Sequence, residues 1–478
     1  MAFIVQLPSL VCHVGASGRR RRPSPQTPDR GVFRTLESDR TIAKLSTLDW
    51  DIDRPILCWE LRTRCDIIGG PMVSPAIPYT RPFLPPGSAE AVADVIREGR
   101  LVMGERVAAF EQAIALFTGR AHAVAVTSGT SALELALRAQ GVGPGFHVFV
   151  PAYTWVATYN VPLLIGARPV LVDVDPTTFC MDPQALEAAK AQFPGTSRAI
   201  MPVHLFGYRA LKGIYDKTFA QQEELVIGDG CCAFGGTDDL EVCGAWAPVE
   251  CLSFHPRKVI TTGEGGMVLC DDDLLAARLR RLRDHGAERS PEQRAQTTQG
   301  GPMTPHFPEP GMNFRMTEMQ GALGVEQMKH LDTILAGRRR VAAKYDALLA
   351  DGPNWLVPAP GSRDAGRLLT FYVVRMVTDR HQPASSYDEN ELDLLEEKRN
   401  ALLRDLAEVG IAARPPMISL LDAPFTAASR GSEQKGFPGT RLLAKTAFAL
   451  PFFPTLEDAD CERVVEALVH HGNRQWNR

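Results

Sequence analysis

The sequence predicts an α/β protein: a large domain built on a mainly parallel, seven-stranded sheet, followed by a smaller α+β domain. Three observations support this. Short apolar, β-branched runs alternate with helical patterns between about residues 120 and 270. The runs are apolar throughout rather than in alternation, as in strands covered by helices on both faces. After Leu323 the alternation gives way to a long helical stretch with a single later strand.

Residues 1–70 read as an extension outside the fold. An apolar segment, 3–14, precedes Arg19-Arg20-Arg21-Arg22-Pro23, which reverses the charge order of a secretory signal. Low acidity gives a faint likeness to an organellar transit peptide. A disordered extension, or a translation start set too far upstream, fits better, because regular structure begins close to Met72. The large domain is expected over 71–325 and the small one over 326–478.

Within the large domain, Val107, Phe110, Ile114 and Phe117 share one helical face. Strands are expected at 123–127, 147–150, 170–174, 200–204, 225–227, 249–254 and 267–270, with a helix at 131–140. Ligands of such sheets bind beyond the carboxyl ends of the strands. In the small domain a helix carries Arg338-Arg339-Arg340, and a strand at 368–377 follows the Pro/Gly-rich segment 358–366. An acidic loop is expected at 382–395, and helices at 399–409 and 461–471.

A net charge of −4 over 478 residues points away from nucleic acid or an acidic polymer as partner. No apolar run approaches the roughly 20 residues that span a membrane. The ten cysteines include no Cys-x-x-Cys pair, and no His-x-x-x-His occurs, which argues against structural zinc. Several lie in apolar runs, as buried free thiols of a reducing compartment do, so the cytoplasm is the expected location.

The segment Ser253-Phe254-His255-Pro256-Arg257-Lys258-Val259-Ile260-Thr261-Thr262-Gly263-Glu264-Gly265-Gly266 is the most informative. An amine five residues after a hydroxyl can form a Schiff base with pyridoxal while the hydroxyl reaches its phosphate. A surface lysine before a tight turn explains the spacing as well. Four features at strand ends bear on the choice. Thr127-Ser128-Gly129-Thr130-Ser131 can cradle an anion at a helix N-terminus, or simply cap the helix. Trp155 can stack on a planar ring or pack in the core. Asp229 can hold a pyridinium nitrogen protonated, or act as a turn or N-cap aspartate. Gly311-Met312-Asn313-Phe314-Arg315-Met316-Thr317-Glu318-Met319-Gln320 reads as a loop leading into a helix capped by Thr317.

The order and spacing of these segments resemble the DegT/DnrJ/EryC1/StrS family of pyridoxal-phosphate sugar aminotransferases. The likeness covers about 75–475 and is carried by Ser128-Gly129-Thr130-Ser131-Ala132-Leu133, His204-Leu205-Phe206-Gly207, the stretch 229–236 and the stretch 253–266. Asn313-Phe314-Arg315-Met316-Thr317-Glu318 and Leu450-Pro451-Phe452-Phe453-Pro454 extend it. The resemblance implies the aspartate-aminotransferase-like (type I) fold and a homodimer with shared active sites. It implies that Lys258 forms the Schiff base and that Asp229 meets the pyridine nitrogen. Trp155 would stack on the ring, and Ser128, Gly129, Thr130 and Ser253 would hold the phosphate. Asn313 would reach the phosphate in the neighbouring subunit. It further implies ping-pong transfer of an amino group from L-glutamate or L-glutamine to a keto sugar, carried on a nucleotide, with Lys258 moving the proton.

The chain departs from the family pattern at four places. Cys232 stands where glutamine or histidine contacts the cofactor. The family's Glu-Asp pair becomes Gly228-Asp229, Gly-Asp becomes Ala247-Pro248, and a histidine is replaced by Phe371. Related keto-sugar dehydratases carry histidine in place of the lysine, so Lys258 favours amino transfer. Two alternatives stand beside this reading: a keto-cyclitol aminotransferase, and a non-catalytic relative of the same fold, which Cys232 and Phe371 would favour.

Overall fold

The computed structural model describes residues 76–212, 224–238, 241–288, 306–359, 368–379, 382–429 and 436–477. The extension expected over 1–70 lies outside them. The described residues belong to one compact unit, Val73–Arg478.

Seven strands form the main sheet: β1 (His122–Val126), β2 (Phe146–Pro151), β3 (Arg168–Val172), β4 (Ser197–Ile200), β5 (Leu225–Asp229), β6 (Val249–Ser253) and β7 (Gly266–Cys270). Their spatial order is β1-β7-β6-β5-β4-β2-β3. Strands β6, β5, β4, β2 and β3 pair in parallel. Strand β7 is antiparallel to both β1 and β6, so it alone in this sheet runs backwards. The expected seven-stranded, mainly parallel sheet is therefore present.

Side chains alternate across each strand, and both faces are apolar. On one face Val124, Val126, Val148, Val150 and Ile227 pack against α3 (Gly129–Ala139) and α6 (Asp273–Leu282). On the other, Ala125, Leu252, Met267 and Leu269 pack against Val107, Phe110 and Ile114 of α2 (Glu105–Thr118). That is the helical face read from the spacing of those residues. Helix α1 (Ser88–Glu98) precedes α2. Helices α4 (Ala157–Leu164) and α5 (Pro183–Ala191) follow β2 and β3 respectively.

Beyond α7 (Glu318–Lys329) and α8 (Leu331–Leu348) comes a three-stranded antiparallel sheet. It comprises β8 (Leu356–Pro358), β9 (Tyr372–Met376) and β10 (Ala447–Leu450). Helices α9 (Glu389–Glu408), α10 (Pro438–Thr446) and α11 (Asp458–Trp476) complete this part. Its core joins Val341 and Tyr345 of α8 to Leu402 and Leu406 of α9 and Val464 and Leu468 of α11.

Three expectations need correction. The strand expected at 200–204 ends at Ile200, because Pro202 has no N–H to donate to a ladder. The strand expected at 368–377 is confined to Tyr372–Met376, and Thr370 instead donates its hydroxyl to Cys232 O at 2.6 Å. The acidic loop expected at 382–395 is helical from Glu389. Asp388 caps that helix by accepting from Glu391 N, and Glu389 and Glu391 suit the positive end of the helix dipole.

The segment read as a loop ending in a cap is held by a capping box. Thr317 and Gln320 exchange side-chain and backbone bonds at the start of α7. Next to it, the buried Glu318 carboxylate accepts from Gly104 N, Arg106 N and Val107 N at 2.7, 2.9 and 3.0 Å. It thus caps α2, whose own N-cap residue, Gly104, has no side chain to offer. Glu318→Ala is expected to cost about 2–3 kcal/mol, since three helix-end N–H groups lose a charged acceptor. Thermal unfolding checks this, and a melting temperature equal to wild type would refute the capping role.

Candidate active site

The backward run of β7 brings its first residue to the edge where β1, β5 and β6 end. Val126 pairs with Gly266, and Gly266 with Ser253. A cavity of about 280 Å³ opens at this edge. Ser128, Gly129, Thr130, Trp155, Asp229, Cys232, Ser253 and Lys258 all line it. A larger groove of about 890 Å³, between α2 and α6, contains none of these residues.

The anion cradle is built by close packing. Ser128 caps α3, its Oγ accepting from Ser131 N at 3.0 Å. The N–H groups of Gly129 and Thr130 have no partner among the described residues, as befits a helix N-terminus. A Cβ on Gly129 would lie 2.8 Å from Ser253 Cβ and 2.9 Å from Cys231 Sγ, so position 129 must be glycine for this wall to close. The helix dipole and these free donors favour an anion here.

Asp229 ends β5 and is buried. Its Oδ2 accepts from Thr158 Oγ1 at 3.0 Å, and its Oδ1 from Cys231 N at 3.2 Å. An ionised carboxylate has about four acceptor sites, so capacity remains for a further donor. Thr158 sits on α4, one turn past Trp155, whose O accepts from Thr158 N at 3.2 Å. The Trp155 indole lines the cavity and is 55% exposed, so it is not a core residue.

Lys258 Nζ donates to Cys232 Sγ at 3.1 Å. Burial raises the Cys232 pKa, against the opposing effect of the nearby ammonium. Burial works against the Lys258 ammonium too. Cys232, Cys231 and Asp229 favour it strongly enough to lift its pKa above the ordinary lysine value. The backbone of Lys258 is held by Arg338 of α8, which donates to Lys258 O and Thr370 O, both at 3.2 Å. Burial pushes the Arg338 pKa down to about 10, and its guanidinium lies 5.5 Å from the Phe452 ring centroid.

Further lining residues escaped the sequence reading. His255 accepts from Arg257 N at 3.2 Å, and its pKa is lowered, chiefly by burial. The Arg257 guanidinium has no hydrogen-bond or ion-pair partner among the described residues. Both lie inside the segment 253–266, so their nearness to Lys258 was a signal. Thr158 had none beyond its place one turn after Trp155. Phe371, noted as a departure, does line the cavity and is buried. Asn313 does not line it. It is exposed and bridges to Asp284, outside this chain's own cavity.

A family model described as the DegT/DnrJ/EryC1/StrS aminotransferase family matches residues 86–469. The chain belongs to this family. It is 34% identical over 371 residues to a GDP-perosamine synthase of Caulobacter vibrioides, covering 77% of this chain and 90% of that one. It is 31% identical over 393 residues to the spore coat polysaccharide biosynthesis protein SpsC of Bacillus subtilis, covering 82% and 96%. A putative sugar aminotransferase from Streptococcus pneumoniae, solved in its PMP form, superposes with a TM-score of 0.72 at 25% identity. That match covers 84% of this chain and all of that one (100%). The chain is therefore a transaminase of the type I α/β fold, and pyridoxal phosphate is its expected cofactor.

The residues present fit that cofactor. The cradle at Gly129 is one that a Cβ would fill, Asp229 has spare acceptor capacity, and Lys258 offers an amine. Gly129→Ala is expected to lower the melting temperature by the few degrees that about 1–3 kcal/mol of overpacking costs, and, in the protein that remains folded, to weaken pyridoxal phosphate binding about tenfold or more. Absorbance titration of the apo-protein measures it. Unchanged affinity would show that the cradle does not hold the phosphate.

Proposed function

We propose that the chain transfers an amino group from L-glutamate or L-glutamine to a nucleotide-linked keto sugar, using pyridoxal phosphate bound in the cavity at Lys258. The observation that carries this reading is the convergence of Lys258, Asp229 and the Gly129 cradle on one cavity. The relatives support the sugar, since one is named for GDP-perosamine synthesis and another for a spore coat polysaccharide. The proposed setting is amino-sugar biosynthesis in the cytoplasm.

When bound, pyridoxal phosphate supplies an electron sink and the carbon that carries the amino group between substrates. Ser128, Gly129, Thr130 and Ser253 bind its phosphate. Asp229 holds the ring nitrogen protonated, and Trp155 covers the ring. Lys258 Nζ moves the proton, first off the donor α-carbon and later onto the acceptor carbon. The substrates use the site in turn. Asn313, exposed and outside this chain's cavity, is proposed to serve the site of a second copy in a homodimer.

Arg257 supports an anionic substrate. A guanidinium beside Lys258 with no carboxylate partner among the described residues suits a substrate carboxylate or phosphate. Arg257→Ala is expected to raise one KM about tenfold or more, the donor's or the acceptor's, according to which anion it holds. Steady-state kinetics with both substrates decides, and two unchanged KM values would remove Arg257 from recognition.

The main test uses the cofactor's own absorbance. Wild type should take up pyridoxal phosphate and lose its visible band when L-glutamate or L-glutamine is added without acceptor. The resulting form should regain the band with a keto sugar from a panel that includes a keto-cyclitol. Lys258→Ala should slow the first change about 10³-fold or more. Protein that takes up the cofactor but responds to neither donor would instead be a non-catalytic relative.

A further inference from the structure

The Glu250 carboxylate has no part in the chemistry above, yet it lies directly behind Asp229. It is the second residue of β6, a strand otherwise apolar up to Ser253, and it is fully buried. Its Oε2 accepts from Trp246 N and Ala247 N, both at 3.1 Å. Its Oε1 lies 3.1 Å from His204 Nε2 and receives a weak contact from Cys243 Sγ at 3.7 Å. His204 Nδ1 accepts from Ala210 N at 3.0 Å, which places the ring proton on Nε2, facing the carboxylate. That Nε2 makes no well-aligned hydrogen bond, so its tie to Glu250 is close but bent.

The two residues flanking Asp229 make room for this carboxylate. Gly228 pairs with Glu250 across the β5/β6 ladder. A Cβ on Gly228 would lie 2.9 Å from Ala247 Cβ, 3.1 Å from His204 Nε2 and 3.2 Å from Glu250 Cδ. A Cβ on Gly230 would lie 2.6 Å from Glu250 Oε1. The Asp229 peptide is in turn held by the segment bearing His204. Asp229 N donates to Pro202 O at 2.8 Å, and Asp229 O accepts from His204 N at 3.0 Å. A carboxyl group taken wholly out of water persists only where its polar atoms have fixed partners. Glu250 therefore ties three segments together: the 246–247 turn, the 202–204 segment and the glycines on either side of Asp229.

We propose that Glu250 is a positioning residue for Asp229, fixing the strand end from which the Asp229 carboxylate enters the cavity. The inference rests on the reading that Asp229 meets the cofactor's ring nitrogen. Gly228 and Glu250 face each other across the ladder, so a carboxylate from position 228 can take the same space once residue 247 is glycine, since the Ala247 Cβ lies 2.9 Å from where a Cβ at 228 would stand.

The test compares wild type with Glu250→Gln, Glu250→Ala, Asp229→Asn and the double variant Gly228→Glu/Glu250→Ala, the last built on Ala247→Gly to clear the 2.9 Å overlap and read against Ala247→Gly/Glu250→Ala. Pyridoxal phosphate affinity and the bound cofactor's absorbance are read alongside the melting temperature of each apo-protein. Glu250→Ala is expected to weaken cofactor binding about tenfold or more and to shift the band toward that of Asp229→Asn. The double variant should recover most of that loss, and Glu250→Gln should fall between. A role in folding alone would lower the melting temperature and leave affinity and spectrum at wild-type values, which would overturn the proposal. So would a double variant no better than Ala247→Gly/Glu250→Ala. If Glu250→Ala does not fold, the isosteric Glu250→Gln and the double variant carry the same comparison. Should Asp229→Asn itself leave the cofactor unaffected, the site reading fails and this inference with it. An effect of Asp229→Asn beside unaffected Glu250 variants overturns this inference alone.

Discussion

The Ser128-Gly129 turn meets the first residue of β7 so closely that a Cβ on Gly266 would lie 2.2 Å from Ser128 O. This contact exists because β7 runs against both of its neighbours. The topology has a direct consequence for Lys258. A connection between parallel strands must cross to the far end of the sheet before returning. A connection between the antiparallel β6 and β7 begins and ends at one edge, so the segment 254–265 stays beside the carboxyl ends of β1 and β5. The lysine, the helix N-terminus and the aspartate are neighbours for that reason, although about 130 residues separate the first two in sequence. Sequence separation of this size adds little to the entropy of closing the site once the sheet has formed.

Much of this was legible in the sequence because each strand buries both faces and so reads as an unbroken apolar run. All seven were located to within a few residues. The eight cavity-lining candidates sit at strand ends, where turns and helix caps give local signatures. What was not legible depended on partners distant in the chain. Thr158 touches Asp229 only because the first turn of α4 comes to the carboxyl end of β5. Glu250 was hidden by the very rule that found its strand. The run around it is apolar enough to define β6, and one acidic residue inside it carries meaning only beside Gly228, Gly230 and His204. The helical start of α9 was missed for a different reason. A dense acidic stretch was read as solvated loop, whereas Asp388, Glu389 and Glu391 are what a helix N-terminus favours.

Departures from the family pattern also become intelligible in space. A side chain at 228 would compete with the Glu250 carboxylate for one buried volume, so Gly228 and Glu250 belong together. Ala247-Pro248 sits where Trp246 N and Ala247 N turn toward that same carboxylate. Phe371 lies beside the cavity, and its ring packs on Tyr79 and Phe206 with centroids 5.6 and 5.8 Å away. An apolar side chain there contributes shape and excludes water, but offers no polar contact. These changes are spread along the sequence, yet they fall in two clusters: one behind Asp229 and one beside Cys232.

Cys232 shifts the balance within the site. A thiol is a weak donor and acceptor, and burial keeps this one protonated. Strong polar control next to Cys232 thus rests on Asp229 and Lys258, and through them on the groups that fix those two. Lys258 is steadied by Arg338, whose guanidinium binds the backbone of both Lys258 and Thr370, while the Thr370 hydroxyl returns to Cys232 O. That closed circuit joins α8, the segment before β9 and the loop after β5 around one ammonium. Holding Arg338 charged in so buried a place is costly, as its lowered pKa shows. A charge so placed persists where its fixed partners repay it. Here they are the carbonyl of Lys258 itself and that of Thr370, whose hydroxyl in turn bonds Cys232.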